Sequence, residues 1–133
     1  MRKVSYTNLN ARQQENYNFQ KISSILADYG FSTIRLNDDW QGADFIANHI
    51  DGKTFLKVQL KGRFTIDKKY IDNDIWICFP NKNDWYLFPH DKILSKIESK
   101  FNYFDSLSWK NGGGYSIKFM SKKLRDILIE YKL

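Results

Sequence analysis

The chain has 133 residues, of which 42% are hydrophobic and 17% aromatic, so we expect one packed domain over residues 1–133 and exclude a disordered protein. The net charge of +6 favours an anionic partner such as a nucleic acid, although many basic surfaces are simply solvated. The single cysteine, Cys78, excludes an internal disulfide, and its apolar neighbours indicate a buried core residue. No apolar run approaches the ~18 residues that span a membrane, so the sequence predicts a cytoplasmic protein without a membrane partner.

The first half of the chain predicts a helix, a strand and a hairpin. The apolar residues of the helix recur at helical spacing, as Phe19, Ile22, Leu26 and Tyr29, and Gly30 is a typical C-terminal stop. Asp51-Gly52 between apolar-rich runs is a strong hairpin signal. The predicted elements are a helix over 9–29, a strand over 31–36, hairpin strands over 43–50 and 53–61, and a polar, basic loop over 64–72.

The second half alternates aromatic strands with short helices. The predicted elements are strands over 74–79 and 85–88 joined by a turn at 81–84, a helix over 91–97, a strand over 115–119 and a last helix that begins after Ser121. The last helix has one apolar face, made of Leu124, Ile127, Leu128 and Tyr131. This order of elements indicates an α/β or α+β fold.

The hairpin sets which side chains face each other. If Asp51 and Gly52 are the two loop residues of a type I′ turn, Asp44 lies opposite Gln59. Lys61 then shares the face of Gln59 and lies diagonal to Asp44, because side chains alternate along a strand. Opposed Cβ atoms are about 5 Å apart and diagonal ones about 7–8 Å. One face therefore brings a carboxylate, a carboxamide oxygen and an ammonium within reach of one another, unless the register shifts by one residue.

These side chains suit metal-assisted hydrolysis of a phosphodiester. Glu15 extends the apolar stripe of the first helix backward, so it either reaches this site or is solvated beyond the end of the stripe. Asp44 and Glu15 would supply charge to Mg²⁺, and the Gln59 side chain and the Leu60 carbonyl would supply neutral ligands. Lys61 would orient water or stabilise charge on the phosphate. The alternative is a polar hairpin face without chemistry.

A helical Glu15, then Asp44, then Gln59-x-Lys61 after a hairpin resembles the PD-(D/E)xK nuclease superfamily, and the region over 74–89 resembles it more weakly. The resemblance implies a restriction-endonuclease-like core, with an N-terminal helix packed on a mixed central sheet, a hairpin that carries the site, and C-terminal helices. It implies a DNA endonuclease that uses Mg²⁺ or Mn²⁺, in which Glu15, Asp44 and Gln59 bind metal and Lys61 is catalytic. Duplex cleavage needs two sites, so we expect a homodimer or higher homo-oligomer.

Two departures from the superfamily pattern leave other functions open. Ala43 stands where the pattern has proline, and Gln59 replaces the usual acid, which removes a negative charge from the metal site. The neutral Gln59 is compatible with a nucleic-acid-binding protein that has lost catalysis. A third possibility is an interaction module that docks a partner through its aromatic strands.

Basic and aromatic residues suggest further contacts. The candidate nucleic-acid-binding residues are Arg12, Lys21, Lys57, Arg63, Lys68 and Lys69, which would follow a phosphate backbone or form a solvated face. Trp40 would stack a base or cover the core. His49 is expected on the face opposite Asp44, and His90 on the surface. The aromatic residues expected in the core or at a subunit interface are Trp76, Trp85, Tyr86 and Phe88.

Overall fold

A five-stranded mixed sheet forms the centre of the protein, with helices and a smaller sheet packed on its two faces. The structure is a computed structural model that describes residues 1–133 except for the side chains of Asp39 and Trp40, so the predicted role of Trp40 lies outside the described residues. In the described part of the chain, no helix has the length and apolar character needed to cross a membrane.

Among the described residues, three α-helices and seven strands make up the main regular structure. The helices are α1 (Ala11–Asp28), α2 (His90–Glu98) and α3 (Lys122–Leu128). The strands are β1 (Phe31–Trp40), β2 (Ala43–His49), β3 (Phe55–Leu60), β4 (Phe64–Asp67), β5 (Ile75–Asn81), β6 (Asp84–Pro89) and β7 (Gly114–Ile117). The central sheet has the order β1-β2-β3-β5-β6, in which only β3 and β5 run parallel, and β4 pairs with β7 in the small antiparallel sheet.

Helix α1 forms close to where the sequence predicts it. Asn10 caps the first turn, because its side chain accepts a hydrogen bond from the Gln13 amide while the Gln13 side chain accepts one from the Asn10 amide. The helix ends before Gly30, whose φ of +81° is the left-handed conformation expected of a glycine stop. Ile22 and Leu26 are buried against the sheet, as the apolar stripe predicts.

Each face of the central sheet packs on a different layer. On one face, Phe45 of β2, Val58 of β3 and Cys78 of β5 pack against α1. On the other face, Ile77 of β5 and Phe88 of β6 pack against the small sheet, α2 and α3. The core position predicted for Cys78 is confirmed, and its burial raises the pKa of the thiol.

The segment predicted as a polar loop over 64–72 is instead half of the small sheet. Phe64 and Ile66 are buried on one side of β4, and Tyr70 in the following helical turn is also buried. Strand β4 is only four residues long, and its partner β7 lies far along the chain, so the local pattern did not reveal the pairing. This second layer covers the sheet face that carries Gln59.

His90 is fully buried, so its predicted surface position is wrong. Its Nε2 accepts a hydrogen bond from the Asp67 amide at 3.1 Å, and its Nδ1 donates to the Asp91 carboxylate at 2.8 Å. Since Nε2 must keep its lone pair for Asp67, the ring is neutral. Loss of hydration on burial lowers the pKa of His90, and the neighbouring carboxylate of Asp91 opposes this shift only in part.

The neutral state of His90 gives the stability of the protein a dependence on pH. In the unfolded chain the ring takes up a proton near pH 6.5, which the folded protein resists. We therefore expect the free energy of unfolding to fall below pH 6.5, by at most about 1.4 kcal/mol per pH unit from this residue, until the lowered pKa is reached. Urea unfolding between pH 7.5 and pH 5 measures this slope. His90→Gln should flatten it, and equal slopes in the two proteins would contradict the assignment.

Candidate functional site

The hairpin of β2 and β3 has the predicted register. Phe45 pairs with Val58 and Ala47 with Leu56, so the same register continued by one residue places Asp44 opposite Gln59. The prediction of a two-residue turn at Asp51-Gly52 is wrong. Residues 50–53 form a longer loop, which is closed by a hydrogen bond from the His49 amide to the Thr54 carbonyl. The Asp51 carboxylate accepts hydrogen bonds from the Thr54 hydroxyl and from the Thr54 and Lys53 amides, which hold its pKa well below the usual range. The longer loop takes one residue from each strand, Ile50 and Lys53, and so leaves the register unchanged.

A tight turn does occur immediately before Asp44. Trp40 and Ala43 pair across Gln41 and Gly42, both of which have positive φ, as a type I′ turn requires. A Cβ on Gly42 would lie 3.2 Å from the ring of Tyr70, so a glycine is needed here for close approach as well as for conformation. The turn therefore fixes the start of β2 against the second layer.

Asp44 is held by the backbone of the facing strand. Its Oδ2 accepts a hydrogen bond of 2.8 Å from the Leu60 amide. Phe45, its neighbour in β2, points to the α1 side of the sheet, so the alternation of the strand directs Asp44 to the other side. The half-buried carboxylate is thus oriented at the end of β3, beside Gln59 and Leu60.

Gln59 carries the most unusual polar atom of the site. The side chain is only 8% exposed, and its Oε1 is buried without a hydrogen-bond partner among the residues that the structure describes. An unpaired buried oxygen is costly, by about 1–3 kcal/mol, and calls for a group that it can bind. A carboxamide oxygen opposite a carboxylate is a donor set that suits Mg²⁺. In the described part of the chain no group of three or more His, Cys, Asp and Glu side chains is placed to hold a metal.

Lys61 follows directly after β3, and its ammonium lies over a ring of the second layer. Its Nζ is 5.6 Å from the centroid of Tyr70, and the Nζ of Lys69 is 5.1 Å from the same centroid. Such cation–π contacts hold an ammonium near an aromatic face without neutralising it. Tyr70 was missed by the sequence analysis, because it lay in a segment predicted as a polar loop. If the alternation of β3 continues by one residue, Lys61 shares the Gln59 face.

Glu15 does not join this face. Its side chain is 57% exposed and forms an ion pair of 2.8 Å with Arg35 of β1. The guanidinium of Arg35 also lies over the ring of Phe19, which packs on the α1 side of the sheet. Of the two positions that the sequence left open for Glu15, the structure shows the solvated one. The apolar stripe of α1 ends before residue 15, and an ion pair between distant segments then holds the carboxylate.

The predicted nucleic-acid-binding residues lie in four places. Arg12 is exposed on the first turn of α1, and Lys57 is half-buried on β3. Lys68 and Lys69 are exposed, and their ammonium groups lie over the rings of Trp109 and Tyr70. Arg63 lines a groove that also includes Lys61. The structure therefore does not gather these residues into one patch.

His49 and the aromatic strands lie where the sequence predicts them. His49 pairs with Phe31 of β1, and its ring packs on that of Phe31 at 4.8 Å. It occupies an odd-numbered position of β2, on the face opposite Asp44. Trp85 and Phe88 are buried in the core on either face of the sheet.

Comparison with known proteins gives similarity in structure only. No family model and no curated protein matches the chain. A bacterial homing endonuclease, I-Ssp6803I, has a TM-score of 0.53 and 16% identity, over 92% of this chain and 86% of that chain. Archaeoglobus fulgidus Hjc, a Holliday junction resolvase from an archaeal hyperthermophile, has a TM-score of 0.46 and 14% identity, over 57% of this chain and 72% of that chain. The mixed sheet, the helices at both ends and the likeness to the homing endonuclease together show that this chain has a restriction-endonuclease-like nuclease fold.

Proposed function

We propose that the protein is a metal-dependent endonuclease that hydrolyses phosphodiester bonds in DNA. The observation that carries this proposal is the buried, unpartnered Gln59 Oε1 opposite the Asp44 carboxylate. The likeness in fold to a homing endonuclease supports it. The net charge of +6 favours attraction of the polyanionic substrate.

Each residue of the site has a distinct part in this proposal. Asp44, Gln59 and the Leu60 carbonyl would hold the metal, while the Leu60 amide fixes the orientation of the Asp44 carboxylate. A bound Mg²⁺ or Mn²⁺ would neutralise charge on the scissile phosphate and lower the pKa of a coordinated water. Lys61 would stabilise the negative charge that develops on the phosphate oxygens, from its position over the Tyr70 ring. Glu15, held by Arg35, is left out of this set.

A second candidate function is nucleic-acid binding without cleavage. It is favoured by the neutral Gln59 and by the absence, among the described residues, of a cluster of three or more His, Cys, Asp and Glu side chains that could hold a metal. A site with one carboxylate is expected to bind Mg²⁺ more weakly than a site with two. The two functions differ in whether the phosphodiester bond breaks when metal is supplied.

Cleavage of supercoiled, single-stranded and branched DNA tests the first function. We expect nicks or breaks in the presence of Mg²⁺ or Mn²⁺ and none with a chelator. Because one domain carries one site, we also expect duplex breaks to require two copies of the chain, and thus to depend on protein concentration. Intact DNA of all three kinds in both metals, with salt-sensitive binding retained, would overturn cleavage in favour of the second candidate.

A further inference from the structure

A groove of about 1260 Å³ crosses the end of the central sheet where β3 and β5 finish. One side is formed by α1, which supplies Tyr17 and Lys21. The other side is formed by the small sheet and the segment after β7, which supply Lys118 and Phe119. Lys61, two residues after Gln59 along the chain, lines the groove, so the groove reaches one residue of the candidate site.

The lining of the groove has one sign of charge. Its charged residues are Lys21, Lys61, Arg63, Lys82 and Lys118, and no Asp or Glu lines it among the residues that the structure describes. The remaining polar residues are mainly neutral amides and hydroxyls. Cations spaced along a groove without carboxylates match a chain of phosphates. Two of the five, Lys82 and Lys118, were not among the residues singled out from the sequence.

Each side of the groove also presents an exposed aromatic ring with an ammonium beside it. Phe119 is 82% exposed, and the Nζ of Lys118 lies 5.6 Å from its ring centroid. Tyr17 is 40% exposed, and the Nζ of Lys21 lies 5.3 Å from its ring centroid. An exposed ring has no role in the core, but it offers a face on which an unpaired base can stack. In a duplex the bases are stacked on each other and would not reach these rings.

We propose that the groove binds a single strand of nucleic acid, with phosphates on the lysines and Arg63 and unpaired bases stacked on Phe119 and Tyr17. The strand leaves the groove at Lys61 and enters the site with Asp44 and Gln59. This inference rests on the proposed function, because the groove would lead a substrate strand to the candidate site. The binding step itself requires neither the metal nor cleavage.

Fluorescence anisotropy with a labelled oligonucleotide tests the groove directly. The full chain is titrated onto a single-stranded DNA, the matching RNA and the DNA duplex, in chelator so that nothing is cut. We expect the single-stranded DNA to bind at least about tenfold more tightly than the duplex. Comparison of the RNA affinity with that of the single-stranded DNA shows whether binding in the groove depends on the sugar of the strand.

Paired variants separate the groove from the general charge of the protein. Lys21→Ala with Lys118→Ala should weaken single-strand binding at least about tenfold and lower the salt slope by about 1.4, for two lost phosphate contacts. Lys53→Ala with Lys110→Ala removes the same charge at exposed positions outside the groove and should change the affinity less than twofold.

Substitution of Phe119 tests base stacking separately from electrostatic binding, because it leaves the charge of the protein unchanged. Phe119→Ala should weaken single-strand binding about tenfold and leave duplex binding unchanged, while Phe119→Trp should restore it. Leu107→Ala, at another exposed apolar residue outside the groove, is the matched control.

Three results would overturn the inference: duplex binding as tight as single-strand binding, equal losses in the groove and control pairs, or no effect of Phe119→Ala. Its failure is distinguishable from failure of the proposed function. If the groove variants weaken binding but no metal-dependent cleavage occurs, the binding inference is supported and the proposed nuclease function is contradicted. If metal-dependent cleavage occurs but the groove variants do not change binding, the nuclease function is supported and the binding inference is contradicted.

Discussion

Asp44→Asn is expected to lower metal-dependent cleavage at least about a hundredfold while the protein stays folded. Loss of a residue that only supports a metal ligand typically costs about 10- to 100-fold, so loss of the charged ligand itself should cost at least the upper figure. Asparagine keeps an oxygen that can accept the hydrogen bond from the Leu60 amide, so the hairpin should not be disturbed. Single-turnover cleavage of plasmid DNA in Mg²⁺, together with thermal unfolding, measures both effects.

Two further variants show whether the charge of Asp44 is what matters. Asp44→Ala removes both the charge and the bond with Leu60, and should lose stability as well as activity. Asp28→Asn removes one negative charge at an exposed position at the end of α1, and should leave cleavage within twofold of the wild type. Full activity of Asp44→Asn would remove Asp44 from the metal site.

Gln59→Glu is expected to destabilise the metal-free protein by about 2–4 kcal/mol near pH 7, because it buries a second carboxylate beside Asp44. For a chain of this size, that corresponds to a loss of roughly 10 °C in Tm. Burial raises the pKa of the new carboxyl above that of the unfolded chain. The penalty is therefore largest above the raised pKa and vanishes toward pH 4, where both states are protonated.

The same variant should respond more strongly to metal. A second carboxylate opposite Asp44 gives the site the charge that Gln59 lacks, so Mg²⁺ or Mn²⁺ should raise the Tm of Gln59→Glu more than that of the wild type. Gln59→Met is the matched control, since it replaces the unpartnered oxygen by an apolar group of similar size. It should be at least as stable as the wild type and respond less to metal. Equal metal responses of Gln59→Glu and Gln59→Met would place the metal elsewhere.

The hairpin register could be predicted from the sequence because it depends on a short local pattern. Alternation along β2 and β3 requires Phe45 and Val58 to face the core together, which places Asp44 and Gln59 on the other face. They stay opposite each other because the loop is longer by one residue on each side. The turn type was wrong because Asp51 uses its side chain to bind the Lys53 and Thr54 amides, an option that the dipeptide Asp-Gly does not reveal.

The open and the wrong predictions concern residues whose partners are distant in the sequence. Glu15 meets Arg35 on β1, and His90 meets the Asp67 amide at the end of β4. Helical periodicity describes which face a residue shares, but not which side chain from another element meets it there. The same reason hid the groove, since its cations come from α1, two loops and the segment after β7.

The bond between Asp44 and Leu60 spans only 16 residues of chain, all within one hairpin. Closing a loop of this length costs little entropy, so Asp44 and Leu60 can come together from local contacts alone. The groove, in contrast, is complete only when the first helix and the last strand have reached the same end of the sheet. The Asp44–Leu60 bond therefore depends on local chain order alone, whereas the groove depends on segments from both ends of the chain.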